Sequence, residues 1–177
     1  MKYLSVILLL IAAAAAQSGD DHAGCPMHAE HMAQASAHSQ HDHTDALNQR
    51  GKEAMGFDQL KTTHHFFLAK NGGVIEVRAN SAEDKTSIEQ IQMHLLHITG
   101  AFASGDFEIP MLVHDQVPPG VPAMKRLKAK IRYRFESLEN GGRISITTAN
   151  GDARRAIWEF LRFQITDHKT GDPLTTP

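Results

Sequence analysis

Phe66-Phe67-Leu68-Ala69-Lys70-Asn71-Gly72-Gly73-Val74-Ile75-Glu76-Val77 returns as Phe135-Glu136-Ser137-Leu138-Glu139-Asn140-Gly141-Gly142-Arg143-Ile144-Ser145-Ile146. Both copies set Asn-Gly-Gly behind a Phe and follow it with apolar residues at every second position. Asn-Gly between alternating apolar runs is the strongest short-range hairpin signature, so each copy is read as two antiparallel strands. A helical pattern follows each hairpin. The first spans residues 82–103, with Ile88, Ile91, Leu95, Ile98 and Phe102 on one side. The second spans residues 152–166, with Ala153, Ile157, Phe160, Leu161 and Gln164 on one side. Ser81 is expected to cap the first helix, with Asp84 completing a weak capping box. Strand, strand, helix, twice over, predicts an α+β fold: two ββα repeats forming one four-stranded antiparallel sheet with two helices on one face. The joining segment 105–123 carries Pro110, Pro118, Pro119 and Pro122 and is expected to be an ordered loop.

Taking Asn71-Gly72 as a two-residue turn sets Leu68 opposite Ile75, Phe66 opposite Val77 and His64 opposite Ala79. His64 then shares the apolar face and points toward the helix layer, while His65 and Phe67 look the other way beside Glu76 and Arg78. Tyr133 takes the place of His64 in the second unit. In the helices, His94 aligns with Phe160 and His97 with Phe163, which puts both His residues at the helix–helix seam.

Upstream of the repeats the composition changes. Residues 1–16 have the parts of an export signal: Lys2, the apolar run from Leu4 to Ile11, and the Ala12–Ala16 cleavage pattern. The apolar run is shorter than the roughly 20 residues a membrane span needs, so no stable insertion is expected after cleavage. The expected location is the periplasm or the exterior. Acidic Asp20 and Asp21, with His22 before Gly24-Cys25, argue against lipidation of Cys25. Residues 17–50 lack hydrophobic periodicity and are read as a disordered tail, with residues 51–177 as the globular domain.

The net charge is −2 and no basic block stands out, which excludes nucleic acid as a partner. One Cys cannot form an intramolecular disulfide. Cys25 is therefore a free thiol, a metal ligand or an intermolecular bridge. No nucleophile elbow, phosphate-cradling Gly loop, HExxH or paired Cys-x2-Cys is present.

Metal ligation is the chemistry to which the sequence points most directly. Residues 17–46 hold six His, two Met, the single Cys and no Lys or Arg. Imidazole suits copper, zinc and nickel, and thiolate and thioether suit Cu(I). Cys25, Met27, His28, His31, Met32, His38, His41 and His43 are the candidate ligands there, with His22 beside them. Cys25-Pro26-Met27-His28 resembles the core of the small heavy-metal-binding domain of bacterial copper and silver efflux adaptors and copper-transporting P-type ATPases. That resemblance implies a soft-metal site and a metal-efflux component as partner.

The candidates in the body are His64, His65, His94, His97 and His114. His94 and His97 stand at i, i+3, a spacing that can chelate one ion. The same pair also fits one half-buried and one solvent-facing His with no joint role. His64 completes a three-His shell, which with an open position is the pattern of a catalytic or exchangeable site. His114, in the Pro-rich segment, is either a turn residue or a ligand that swings over the site. Asp167-His168 reads as the end of the second helix, complementing its dipole. Glu76 and Asp115 are available as bases, though nothing singles them out.

The body also resembles a group of uncharacterised secreted bacterial proteins. Met55-Gly56-Phe57-Asp58, Thr62-Thr63-His64-His65-Phe66, His94-Leu95-Leu96-His97-Ile98, His114-Asp115-Gln116, Phe160-Leu161-Arg162-Phe163-Gln164-Ile165 and Thr170-Gly171-Asp172-Pro173 carry it. The resemblance implies a shared fold and no activity.

The expected function is an exported metal-binding protein, copper foremost and zinc second, acting as a buffer or carrier. Two alternatives stay open: a small metal-dependent enzyme on a three-His site, and a protein-binding module anchored at Phe67.

Overall fold

The computed structural model describes residue 42 and residues 44–177. The export signal and the tail candidates Cys25, Met27, His28, His31, Met32, His38, His41 and His43 lie outside the described residues.

The sheet follows the expected fold class. Strands β1 (Thr62–Ala69), β2 (Gly72–Ala79), β3 (Arg132–Leu138) and β4 (Gly141–Thr147) are all antiparallel, in the order β1-β2-β4-β3. The helices in chain order are α1 (44–55), α2 (Lys85–Ser104), α3 (Glu108–His114), α4 (Val121–Arg126) and α5 (Gly151–Asp167). Apolar residues of α2 and α5 share one core with Phe66, Leu68, Ile75, Val77, Ile144 and Ile146. Burying each such side chain contributes about 1.5–3 kcal/mol.

The register differs from expectation by two residues. Ala69 pairs with Gly72, Phe66 with Ile75 and His64 with Val77, so the turn is Lys70-Asn71. A slip of two preserves facing, and His64 still points to the helix layer. The cause lies across the sheet. Gly72 and Gly73 are strand residues of β2 that pair with Thr147 and Ile146 of β4. A Cβ on Gly72 would stand 1.9 Å from the Ile146 carbonyl oxygen, and one on Gly141 2.1 Å from that of Val77. Gly72 and Gly141 therefore serve the seam between hairpins rather than the turns, while Gly73 and Gly142 leave room for Leu161 of α5 and Leu95 of α2.

A pseudo-twofold relates the halves about the pairing of Ile75 with Ile144. Each helix crosses to the other hairpin: α2 packs chiefly on β3 and β4, and α5 packs on β1. The crossing is sealed by matching hydrogen bonds. Trp158 Nε1 of α5 donates to the carbonyls of Ala69 and Gly72 at 3.0 and 2.9 Å. Gln92 Nε2 of α2 donates to the corresponding carbonyls of Leu138 and Gly141 at 3.0 and 3.1 Å.

Three further details correct the sequence reading. Asp84, not Ser81, caps α2, accepting from Ser87 N at 3.1 Å. Segment 105–123 is not a loop: it holds α3 and the start of α4. Pro110 and Pro122 sit in the first turns of these helices, where their missing N–H groups cost no intrahelical bond. The folded body also begins before residue 51, because residues 44–50 are already helical and Leu47 is buried. Leu47 and Met55, its two large apolar residues, were too little periodicity to announce α1. Arg50 Nε donates to the Val113 carbonyl at 2.8 Å and ties α1 to the end of α3.

Candidate functional site

Beneath the helix layer lies a cavity of about 70 Å³. Its wall is mostly aliphatic and aromatic, and its polar residues are His64 (β1), His94 (α2), His114 (α3), Gln164 (α5) and His168, which follows α5. No Asp, Glu, Lys or Arg is among the lining residues.

His64 reaches the cavity through its place on the inner face of β1. Its ring lies 5.6 Å from that of His168, nearly parallel at 5°, and 6.0 Å from that of Phe57. Although the residue as a whole is half-buried, His64 Nε2 is cut off from solvent and has no hydrogen-bond partner. His94 meets the same Phe57 edge-on at 5.5 Å.

The surroundings hold these imidazoles neutral. Burial, with the neighbouring charges of His94 and His65, lowers the pKa of His64 to about 4. Burial and then His97 lower that of His94 to about 4. Burial, followed by His64 and His114, lowers His168 to about 3, against an opposing pull from Asp167.

His114 is committed to structure. Helix α3 buries it, with Nδ1 2.6 Å from Asp167 Oδ2 and Nε2 2.9 Å from Gln164 Oε1. Nδ1–H donates to the carboxylate. Nε2 then donates to Gln164 as an imidazolium, or accepts from a rotated amide as a neutral ring. Both nitrogens are used either way, so His114 neither swings over the site nor retains a lone pair for a substrate.

The other candidates are placed elsewhere. His97 is exposed on α2, because it stands one residue past the turn that His94 shares with the core. The i, i+3 pair is thus divided between cavity and solvent. His94 does share the cavity wall with Phe160, as their alignment led one to expect. His65 lies on the opposite sheet face, with Nδ1 2.9 Å from Asp172 Oδ1. The other Asp172 oxygen accepts from Phe66 N at 2.9 Å and from the Thr170 hydroxyl at 2.7 Å, which closes an open donor of edge strand β1. Glu76 is no free base. Burial raises its pKa, but hydrogen bonds from Arg143 and Arg78 outweigh this and bring it below the ordinary carboxylate value. Asp115 is exposed beyond α3.

His168 and Gln164 are the site residues that sequence reasoning missed. His168 looked like a helix-end residue, and it is the C-cap of α5. Its alignment with Phe102 was the available signal, since Phe102 points into the core.

Among the described residues, no three His, Cys, Asp or Glu side chains are arranged to hold a metal ion. Among them, too, no helix is long and apolar enough to cross a membrane. The chain matches no protein-family model, and neither curated proteins nor solved structures give a match.

Proposed function

We propose that this chain is an exported metal-binding protein, for copper foremost and zinc second, serving as a periplasmic buffer or carrier. The observation that carries this reading is the concentration of Cys25, Met27, His28, His31, Met32, His38, His41 and His43 in a stretch without Lys or Arg. Thiolate, thioether and imidazole within Cys25-Pro26-Met27-His28 form a compact donor set for a soft ion. The neutral rings of His64, His94 and His168 on the cavity wall support the reading, because imidazole ligates only when deprotonated. A metal-efflux component is the partner that fits such a carrier.

The test is competitive titration of the full chain with Cu(I) and Zn(II), beside the Cys25→Ser/Met27→Leu/His28→Gln variant. The variant is expected to lose the tightest Cu(I) equivalent. An unchanged Cu(I) isotherm would remove the assignment. An unperturbed imidazole protonates near pH ~6.5. Capture by the His residues of 17–43 is therefore expected to weaken below about pH 6.

A further inference from the structure

The cavity and the ligand-rich segment are separate features, and the cavity has its own chemistry. One buried side-chain nitrogen on its wall, His64 Nε2, lacks a partner. A buried polar atom left unpaired costs about 1–3 kcal/mol, and this one borders a cavity. We propose that Met55, His64 and His94 form a seat in this cavity for a soft monovalent cation, Cu(I) or Ag(I). The proposal rests on the metal-binding reading above and gives it a second, folded site.

The donor set follows by elimination. His114 has spent both nitrogens on Asp167 and Gln164. Three imidazoles do not gather around one point among the described residues. His168 is stacked nearly parallel on His64, so one ion cannot lie in the plane of both rings. His64 and His94 remain as a pair: both line the cavity and both pack on Phe57. A third donor must then be of another kind. Met55, at the end of α1, carries the one thioether on the cavity wall. Two imidazoles and a thioether suit Cu(I) and its heavier congener.

The charge of the guest follows from the lining. Moving an ion from water to a low-dielectric interior costs about 20 kcal/mol for a unit charge in the idealised limit, and that cost grows with the square of the charge. A divalent ion faces about four times that cost with two imidazoles, and this wall has no carboxylate or thiolate to offset it. A monovalent soft ion loses least on entry and bonds most strongly to neutral sulfur and nitrogen. His168, stacked on His64, fixes the ring that presents Nε2.

The test is methionine-methyl NMR of the full chain titrated with Ag(I) and, separately, with Zn(II). Met55 reports the cavity; Met27 and Met32 report the ligand-rich segment. With Ag(I), the Met55 methyl is expected to shift and saturate; with Zn(II), it is expected to stay in place. His64→Phe should abolish the Met55 response and leave those of Met27 and Met32. Tyr133 fills the matching place in the second repeat, so an aromatic ring is sterically reasonable there. If that variant does not fold, Met55→Leu serves instead. Its Ag(I) affinity at the cavity, followed by the His64 ring resonances, should fall by more than the ~10-fold typical of losing an outer-shell partner. A Met55 methyl unmoved by Ag(I), or moved equally by Zn(II), overturns the seat. Met55 moving while Met27 and Met32 stay silent would uphold the seat and sink the tail assignment. The reverse pattern would do the opposite.

Discussion

The two ends of the apolar layer are built alike and finished differently. At one end His64 of β1 meets His168 beyond α5, ring centroids 5.6 Å apart. At the other, Tyr133 of β3 meets Phe102 of α2 at 5.8 Å. The strand positions correspond through the repeat, and the partners correspond through the alignment of the helices. Each end also holds a buried polar atom without a partner, His64 Nε2 and Tyr133 Oη. Around Tyr133 the neighbours are Phe102 and the core, and burial pushes its phenol above the ordinary value. Around His64 three more imidazoles line an uncharged cavity. The same backbone thus packs a core at one end and keeps lone pairs available at the other.

The strongest way to break the comparison is at its centre. Ile144 lies on the pseudo-twofold and is fully buried. Ile144→Ala is expected to cost about 2–5 kcal/mol. It should lower the urea midpoint in one transition seen equally by Trp158 fluorescence and far-UV circular dichroism. Separate transitions would mean that the halves fold independently.

Acid should distinguish the ends next. His64, His94 and His168 titrate near 4, 4 and 3 when folded, against about 6.5 when unfolded. The unfolded chain therefore binds more protons between those limits. Stability contributed by the neutral rings is full above about pH 6.5 and declines as pH falls toward 4. The slope is at most about 1.4 kcal/mol per pH unit for each ring, less where a ring retains solvent. Urea unfolding at several pH values measures it. His64→Phe should flatten this acid limb, and Tyr133→Phe should leave it unchanged. An identical limb in wild type and His64→Phe would show that the ring does not stay neutral.

Truncation tests where the body begins. A chain starting at residue 51 loses buried Leu47 and the Arg50 bond to Val113. The expected penalty is about 1.5–3 kcal/mol from Leu47 alone. A chain starting at residue 42 should keep the thermal midpoint of the full chain. Equal midpoints for both truncations would remove α1 from the folded unit.

The smallest effects sharpen the symmetry. Asp84 caps α2 and Asn150 caps α5. Each is expected to lose about 0.5–2 kcal/mol on substitution by Ala. Tyr133→Phe, which removes an unpaired hydroxyl, should change stability by less than about 1 kcal/mol in either direction. A larger loss would mean that the hydroxyl has a partner in solution.

These comparisons also mark what could be read from the chain. The hairpins and long helices were legible because Asn-Gly-Gly and the apolar spacings are local signals. The register was not, because Gly72 and Gly141 answer to carbonyls on the other hairpin. Helices α3 and α4 hid behind prolines that sit harmlessly in their first turns. His64 and His94 were legible as inward-facing residues. His168 was not, since a helix end says nothing about which ring it will meet. Of the two readings of the i, i+3 pair, the half-buried His94 and solvent-facing His97 fit the one without a joint role. The matched roles of Trp158 and Gln92 were invisible because the two side chains share only an N–H donor.

The crossed helices bear on how such a chain arises. Each hairpin receives its cover, and the cap on its turn carbonyls, from the helix of the other repeat. A lone ββα unit would expose its apolar face and fold its helix onto nothing. Carrying both units on one chain frees the two halves from having to be identical. Equivalent positions can then hold His64 in one half and Tyr133 in the other, a difference that a symmetric dimer of single units does not permit.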